Sequence, residues 1–257
     1  MNDLNPRNRL LATLSPADLH LLRPFFEDVE LPSRRVLDAP RAPITHVYFV
    51  QTGLLSVVGV ASRDRRIEVG MVGCEGMTGP DAVLGGDSSP NETLVQSPGT
   101  ALRISTVALR RIMRESESIT ALLLRYVRVL LVQTSQTALA NGRGKLDERL
   151  ARWLLMWDDR VSDPSASITH DFVALLLGVT RPGVTVALHM LEGKGLIRST
   201  RGRVRIVDRD GLRAAANGYY GVAEEEYELS IGRPPDHSAR GNPQTPPRPA
   251  SGDLSHR

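Results

Sequence analysis

The chain has 257 residues, 41% hydrophobic and 24% charged, a length that suits about two domains and an ordinary globular composition, so a single small module and a fibrous class are excluded. Lys and Arg exceed Asp and Glu only by 32 to 29, too small an excess to imply a polyanionic partner, so the placing of the arginines matters more than their sum. The single cysteine, Cys74, excludes an intramolecular disulfide and any zinc or iron–sulfur site built from several thiolates.

No apolar run approaches the roughly 18 to 20 residues of a membrane helix, and the N-terminus MNDLNPRNRLL has neither the apolar centre nor the cleavage site of a secretory signal. A cytoplasmic chain with no membrane partner is expected. The first predicted element is a short helix from Ser15-Pro16-Ala17-Asp18 to about Arg23: the serine can accept an amide at the helix start, proline suits the first turn, and the acid complements the positive end. From Val29 to Ile104 the runs HVYFV, GLLSVVGVA, RRIEVGMVG, ETLVQ and TALRI are broken by Gly, Pro and Asp. They predict short strands joined by turns in an antiparallel roll or barrel.

Between Thr106 and Asn141 the pattern is helical, with Ile119, Leu123, Tyr126, Leu130, Gln133 and Thr137 recurring at three- and four-residue steps. Leu122, Val129, Val132 and Leu139 form a second apolar face, so the helix needs two things to pack against: its own roll and a second subunit. The polar Gln133 and Thr137 put the first stripe at the dimer seam. Asn141-Gly142-Arg143-Gly144 predicts a hinge, and a helix from Lys145 to about Arg160 carries Leu146, Leu150, Trp153, Leu154 and Trp157 on one face. After Gly218 periodicity is lost, and from Gly232 the chain is rich in Pro, Gly, Ser, Asn and His, which predicts a disordered tail.

The most informative stretch is ITHDFVALLLGVTRPGVTVALHMLEGKGLIRSTRGRVRIV, residues 168–207. Thr169 can cap a helix whose Val173, Leu176 and Leu177 share a face, Ala174 lets another helix cross closely, and Gly178 ends it. Thr180 can cap a second helix, with Pro182 in its first turn and Val184, Leu188 and Leu191 facing inward. Two short helices joined by a tight glycine turn make a helix-turn-helix, whose second helix can enter the major groove. Past Gly195, LIRSTRGRVRIV reads as a hairpin with Arg198, Arg201, Arg203 and Arg205 within eight positions. By itself this is as readily a solvated basic hairpin as a DNA contact; attached to a helix-turn-helix, it reads as a wing along a phosphate backbone.

The order of elements resembles the Crp/Fnr regulators from about Leu10 to Ala216, most specifically in HVYFVQTGLLSVV and LLLGVTRPGVTVALHMLEGKGLI. The resemblance implies an α+β fold: an N-terminal antiparallel β-roll of the double-stranded β-helix type within 1–115, a long dimerisation helix over 116–142, a winged helix-turn-helix over 143–217, and an extension over 218–257. It further implies that Arg181, Pro182 and Val186 face bases, that Thr169, His170, Thr180 and Gly183 lie near the backbone, and that Thr185 and His189 add polar contacts. Arg201, Arg203 and Arg205 belong to the wing. Family members often carry acidic and basic groups where this chain has Pro182 and Val186, so Arg181 is the clearest base-edge donor and a different operator preference is expected.

Cyclic-nucleotide-binding relatives hold the ribose with a glutamate and the cyclic phosphate with an arginine. In CEGMTGPDAVLGGDSSPNETLVQ the matching positions fall at Met77 and near Asn91. With neither charge in place, cyclic AMP is not the expected effector. Glu75, close by, reads as an exposed turn carboxylate, and the effector stays unidentified. His46 could offer one axial ligand to a haem but reads as a packed or surface residue, and neither a cofactor nor a metal is expected. No phosphate loop, nucleophile elbow or zinc-protease pattern is present, so the chain is not read as an enzyme. The expectation is a homodimeric transcription regulator on a near-palindromic duplex, with half-sites roughly 34 Å apart, signal input through the roll, and RNA polymerase as a possible further partner. The rival is a sensor whose wing contacts a protein.

Overall fold

The computed structural model describes residues 6–62, 65–161, 168–200 and 202–232. Two short helices, α1 (Arg9–Ala12) and α2 (Pro16–Leu22), lead in. The start signal read in the sequence is used, since the Ser15 hydroxyl accepts the Asp18 amide and Pro16 sits in the first turn. Asp18 is buried, and its carboxylate accepts hydrogen bonds from Ser15, Ser116 and Ser118, each 2.8 Å, which tie α2 to the start of the long helix.

The roll is an antiparallel sheet of β1 (Glu27–Leu31), β2 (Val36–Asp38), β3 (His46–Ser62), β4 (Arg65–Val72) and β5 (Glu92–Ser105), in the order β1-β5-β3-β4 with β2 also on β5. A one-turn helix, α3 (Pro80–Val83), lies between β4 and β5. The short strands expected at HVYFV and GLLSVVGVA are one continuous strand, as are those at ETLVQ and TALRI. The glycine expected to end a strand instead bends it: Gly53 holds φ +88° where the β3–β5 register slips between Thr52 and Leu54, so a bulge replaces a turn.

Helix α4 (Thr106–Glu115) leads into α5 (Glu117–Arg143), and Ser105 and Ser116 cap them. At 27 residues α5 is roughly 40 Å long. Its assignment of faces corrects the sequence expectation. Ile119, Leu123, Tyr126, Gln133 and Thr137 are buried, because they pack against the same chain. Gln133 Oε1 accepts the Met71 amide at 2.6 Å and its Nε2 donates to the Met71 carbonyl at 3.3 Å, while the Thr137 hydroxyl accepts Arg152 Nη2 at 3.0 Å. Gly76 lets α5 approach, since a Cβ there would lie 1.9 Å from the Tyr126 hydroxyl. Leu122 and Val129, assigned to the other face, are buried as well, and Leu139 is exposed. The uncovered stripe runs through Leu124, Leu131 and Ala138, at heptad spacing.

The expected four-residue hinge is shorter. Helix α5 continues through Gly142 to Arg143, and α6 (Leu146–Asp158) begins three residues on. Gly144 is there for closeness and not for unusual dihedrals: a Cβ would lie 2.7 Å from the Ala140 carbonyl oxygen. Helix α6 buries residues Leu150 to Trp157 on nearly every side, because α7 (His170–Leu177), α8 (Arg181–Gly193) and α9 (Arg209–Ala215) surround it together with the roll. Leu54, Val58 and Met71 of the roll share one core with α6, α7 and α8. At the centre of this joint Trp153 Nε1 donates to Glu68 of β4 at 2.9 Å.

Residues 218–232 depart from the expected loss of structure. Helix α10 (Val222–Ser230) packs on α5 through Ala223 and Tyr227, with Ile231 just beyond it. Arg9 pairs with Glu228 at 2.8 Å, and Arg128 pairs with Glu226. These anchors come from far along the chain, so nine residues with a weak apolar period fold on surfaces already built. The tail from 233 onward lies outside the described residues.

Candidate nucleic-acid interface

Helices α7 and α8 are bent 104° from one another, within the range of helix-turn-helix pairs. Gly178 makes the turn at φ +64°, ψ +39°, a left-handed conformation that costs glycine little. Thr169 caps α7 by accepting the Phe172 amide, and Thr180 caps α8 by accepting that of Gly183. Val184, Leu188 and Leu191 face inward and are buried.

The opposite face of α8 is open. The Arg181 side chain is 65% exposed, with the Asp171 carboxylate 3.7 Å from its Nε, and Val186 is 59% exposed. Pro182 and His189 are exposed beside them. Not every predicted contact residue is free. The Thr185 hydroxyl donates to the Arg181 carbonyl and lies within hydrogen-bond distance, 2.9 Å, of His170 Nδ1, a contact that holds α7 against α8. A Cβ on Gly183 would lie 3.2 Å from Leu146, so the missing side chain also lets α8 sit close to α6.

The wing consists of β6 (Ile197–Thr200) and β7 (Arg203–Ile206). Its register sets Arg198 opposite Arg205, both exposed, with Arg203 opposite Thr200. Like charges facing each other across a hairpin repel, and Arg198, Arg203 and Arg205 have no acidic partner among the described residues. Arg201 lies outside those residues. Arg198 completes the basic face, a role set by cross-strand pairing. Two anchors aim the wing: Ser199 N donates to Glu192 of α8 at 2.8 Å, and Ile168 N donates to the Gly202 carbonyl at 2.9 Å.

Two family profiles match this chain, a cyclic nucleotide-binding domain over residues 29–116 and a Crp-like helix-turn-helix domain over residues 148–215, in the order of the roll and the reading head. The chain belongs to the Crp/Fnr family. As a Crp/Fnr protein it is a DNA-binding transcription regulator and not an enzyme. Among solved structures it is similar to FixK2 from Bradyrhizobium japonicum, at 18% identity and TM-score 0.62 over 74% of this chain and 96% of that one. A Crp/Fnr regulator from Thermus thermophilus aligns at 20% identity and TM-score 0.62 over 75% and 100%. The c-di-GMP-responsive regulator CLP from Xanthomonas campestris aligns at 19% and 0.59 over 75% and 99%. These likenesses show the shared fold. A comparison with curated proteins finds no match.

In this Crp/Fnr regulator the cavity at the positions matched to a cyclic-nucleotide site is small, about 30 Å³, room for a water or two. Met77 and Asn91 line it together with Asp38 and Asp81. Burial, with Asp81 nearby, pushes the Asp38 carboxyl above its ordinary value, against the hydrogen bond from Thr93. Glu75 does not join them. Contrary to the expected exposed carboxylate, it is paired with Arg160 Nε at 2.6 Å, with 13% and 9% of the two side chains exposed. The reason is that the end of α6 docks over the loop that carries Glu75, 85 residues away in sequence. Among the described residues no group of His, Cys, Asp and Glu could hold a metal ion, and no single helix is long and apolar enough to cross a membrane.

Proposed function

We propose that the chain binds a near-palindromic operator as a homodimer, in the cytoplasm, with each α8 in the major groove and each wing along the flanking phosphates. The observation that carries this reading is the open face of α8 beside Arg198, Arg203 and Arg205 of the wing, which have no acidic partner among the described residues. Arg181 is the guanine reader, Val186 is suited to a thymine methyl, and Thr169 and Thr180 stand at helix starts that can face phosphates. Selection from random duplex DNA at stated salt, with Arg181→Ala in parallel, tests it. A two-fold symmetric motif should be enriched, and the variant should lose about 1–3 kcal/mol and relax preference at one position of each half-site. No enriched motif, with a protein ligand captured through the wing instead, would favour the rival reading.

The second copy is assigned to the stripe Leu124, Leu131 and Ala138, with Leu131 61% exposed and the heptad spacing of a two-helix seam. Leu124→Glu/Leu131→Glu should be monomeric at micromolar concentration by light scattering, keep its near-UV circular dichroism, and bind operator at least 100-fold more weakly. A dimer of unchanged affinity would place the seam elsewhere.

The roll is not read as a cyclic AMP site. Two carboxylates line a cavity of about 30 Å³, and a cyclic phosphate would meet repulsion without a cation. Calorimetry with micromolar protein should show no cyclic AMP binding; a saturable heat would refute this. The position of the operator relative to a promoter, and any contact with RNA polymerase, decide between activation and repression.

A further inference from the structure

A second cavity lies outside the roll's interior. It measures about 260 Å³ and is walled by α1, the loop carrying Glu75, α5, the end of α6, and α10 with the turn before it. Its walls therefore come from the roll, the long helix and the reading head, and α10 closes it. Six ionisable side chains of fixed sign line it: Arg9 and Arg160 against Glu75, Asp159, Glu224 and Glu228. Arg160 is matched by Glu75 and Arg9 by Glu228. Asp159 is answered from behind by Arg209. Glu224 caps its own helix by accepting the Gly221 amide at 3.0 Å and makes no close ion pair among the described residues, its attraction to buried Arg152 and Arg160 acting at longer range; the lining itself holds four carboxylates against two guanidiniums.

The rest of the wall is aromatic and apolar. The hydroxyls of Tyr126, Tyr220 and Tyr227 donate to the Met77 carbonyl, the Asp159 carboxylate and the Glu75 carbonyl. Their hydroxyl protons are committed, and Arg9 and Arg213 already lie over one face of the Tyr227 and Tyr220 rings, so the remaining ring surface, with Val129, Leu130 and Ala223, is what meets a ligand. Ring faces attract cations, and a carboxylate without a close ion pair in a partly closed cavity does so more strongly than one in water.

We propose that this interdomain cavity is a binding site for a small organic monocation with a compact apolar body, of the arylalkylamine class. Its ammonium group sits near Glu224 and its apolar body lies among the tyrosine rings. Because the walls belong to the roll and to the reading head, an occupant stabilises their present docking. Binding itself does not depend on the DNA-regulator reading and is measured without DNA.

The test is isothermal titration of the full chain with 2-phenylethylamine, against the neutral isostere 2-phenylethanol and the anion 3-phenylpropionate. The amine should bind with a submillimolar Kd, the alcohol at least 10-fold more weakly, and the anion without measurable heat. Glu224→Gln keeps the oxygen that caps α10 and should weaken the amine at least 5-fold at an unchanged melting midpoint. Ala223→Leu fills the cavity and should abolish binding while the protein stays folded by circular dichroism. Absence of amine binding in the parent protein would overturn the proposal, as would equal binding of the anion or indifference of a folded variant of either kind.

Discussion

Replacing Glu68 by Gln is expected to raise the free energy of unfolding at pH 8 by about 1–3 kcal/mol and to change it by less than about 1 kcal/mol at pH 5. Glu68 lies on β4, buried in the joint between the roll and the reading head. Burial pushes its carboxyl up to about 7 from an ordinary 4.5, outweighing the nearby Ser56 hydroxyl, the hydrogen bond from Trp153 and the more distant charges of Arg152 and Arg160. Trp153 serves Oε1, whereas Oε2 has no hydrogen-bond partner among the described residues. The folded state therefore holds a proton that the unfolded chain has lost between about pH 4.5 and 7. Stability falls as pH rises through that window and stays lower above it. Glutamine carries no charge at any pH and can still accept from Trp153, so the dependence on this site should vanish. Urea unfolding at the two pH values, followed by tryptophan fluorescence, checks it. A variant less stable than the parent at pH 8 would mean that the ionised carboxylate is stabilised by something in the joint other than these groups.

The double substitution Arg198→Ala/Arg205→Ala should weaken operator binding about 10- to 100-fold at moderate salt and reduce the magnitude of the slope of log K against log salt by roughly 4 per dimer. The two guanidiniums face each other across the wing, and each is taken to release about one counterion from a phosphate in each protomer. Their mutual repulsion in the free protein gives the second half of the expectation. The variant should fold at least as well as the parent, since a cross-strand pair of like charge is removed. Fluorescence anisotropy with a labelled operator over a range of salt reads both quantities. An unchanged slope would remove the wing from the DNA interface and return the arginines to a solvated face or to a protein partner.

What was legible in the sequence was whatever the chain decides within a few residues. Ser15, Thr169 and Thr180 cap helices because the acceptor and the amide it serves are three positions apart. Gly178 turns α7 into α8 because its own dihedrals require it. The inward positions Val184, Leu188 and Leu191 follow from helical period, and the wing from two short strands around a glycine turn. These local signals sufficed for the reading head, for the long helix and for their order.

The tertiary structure decided which partners those elements meet. Periodicity identified two apolar faces on α5 but could not say which one its own roll would cover. Gln133 went inward because the backbone of Met71 supplies a donor and an acceptor for it. Glu75 became half of a buried ion pair because α6 returns over its loop. Glu68 met Trp153, 85 residues away. Helix α10 formed from a stretch with little period of its own because α1 and α5 offer it Arg9 and Arg128. In each case the energy lies in a contact between residues remote in sequence, and only the packed chain brings the two sides together. Local pattern determined the elements and the open face of α8, whereas burial and pairing across the domains decided which stripe of α5 stays uncovered, the joint and the cavity between them.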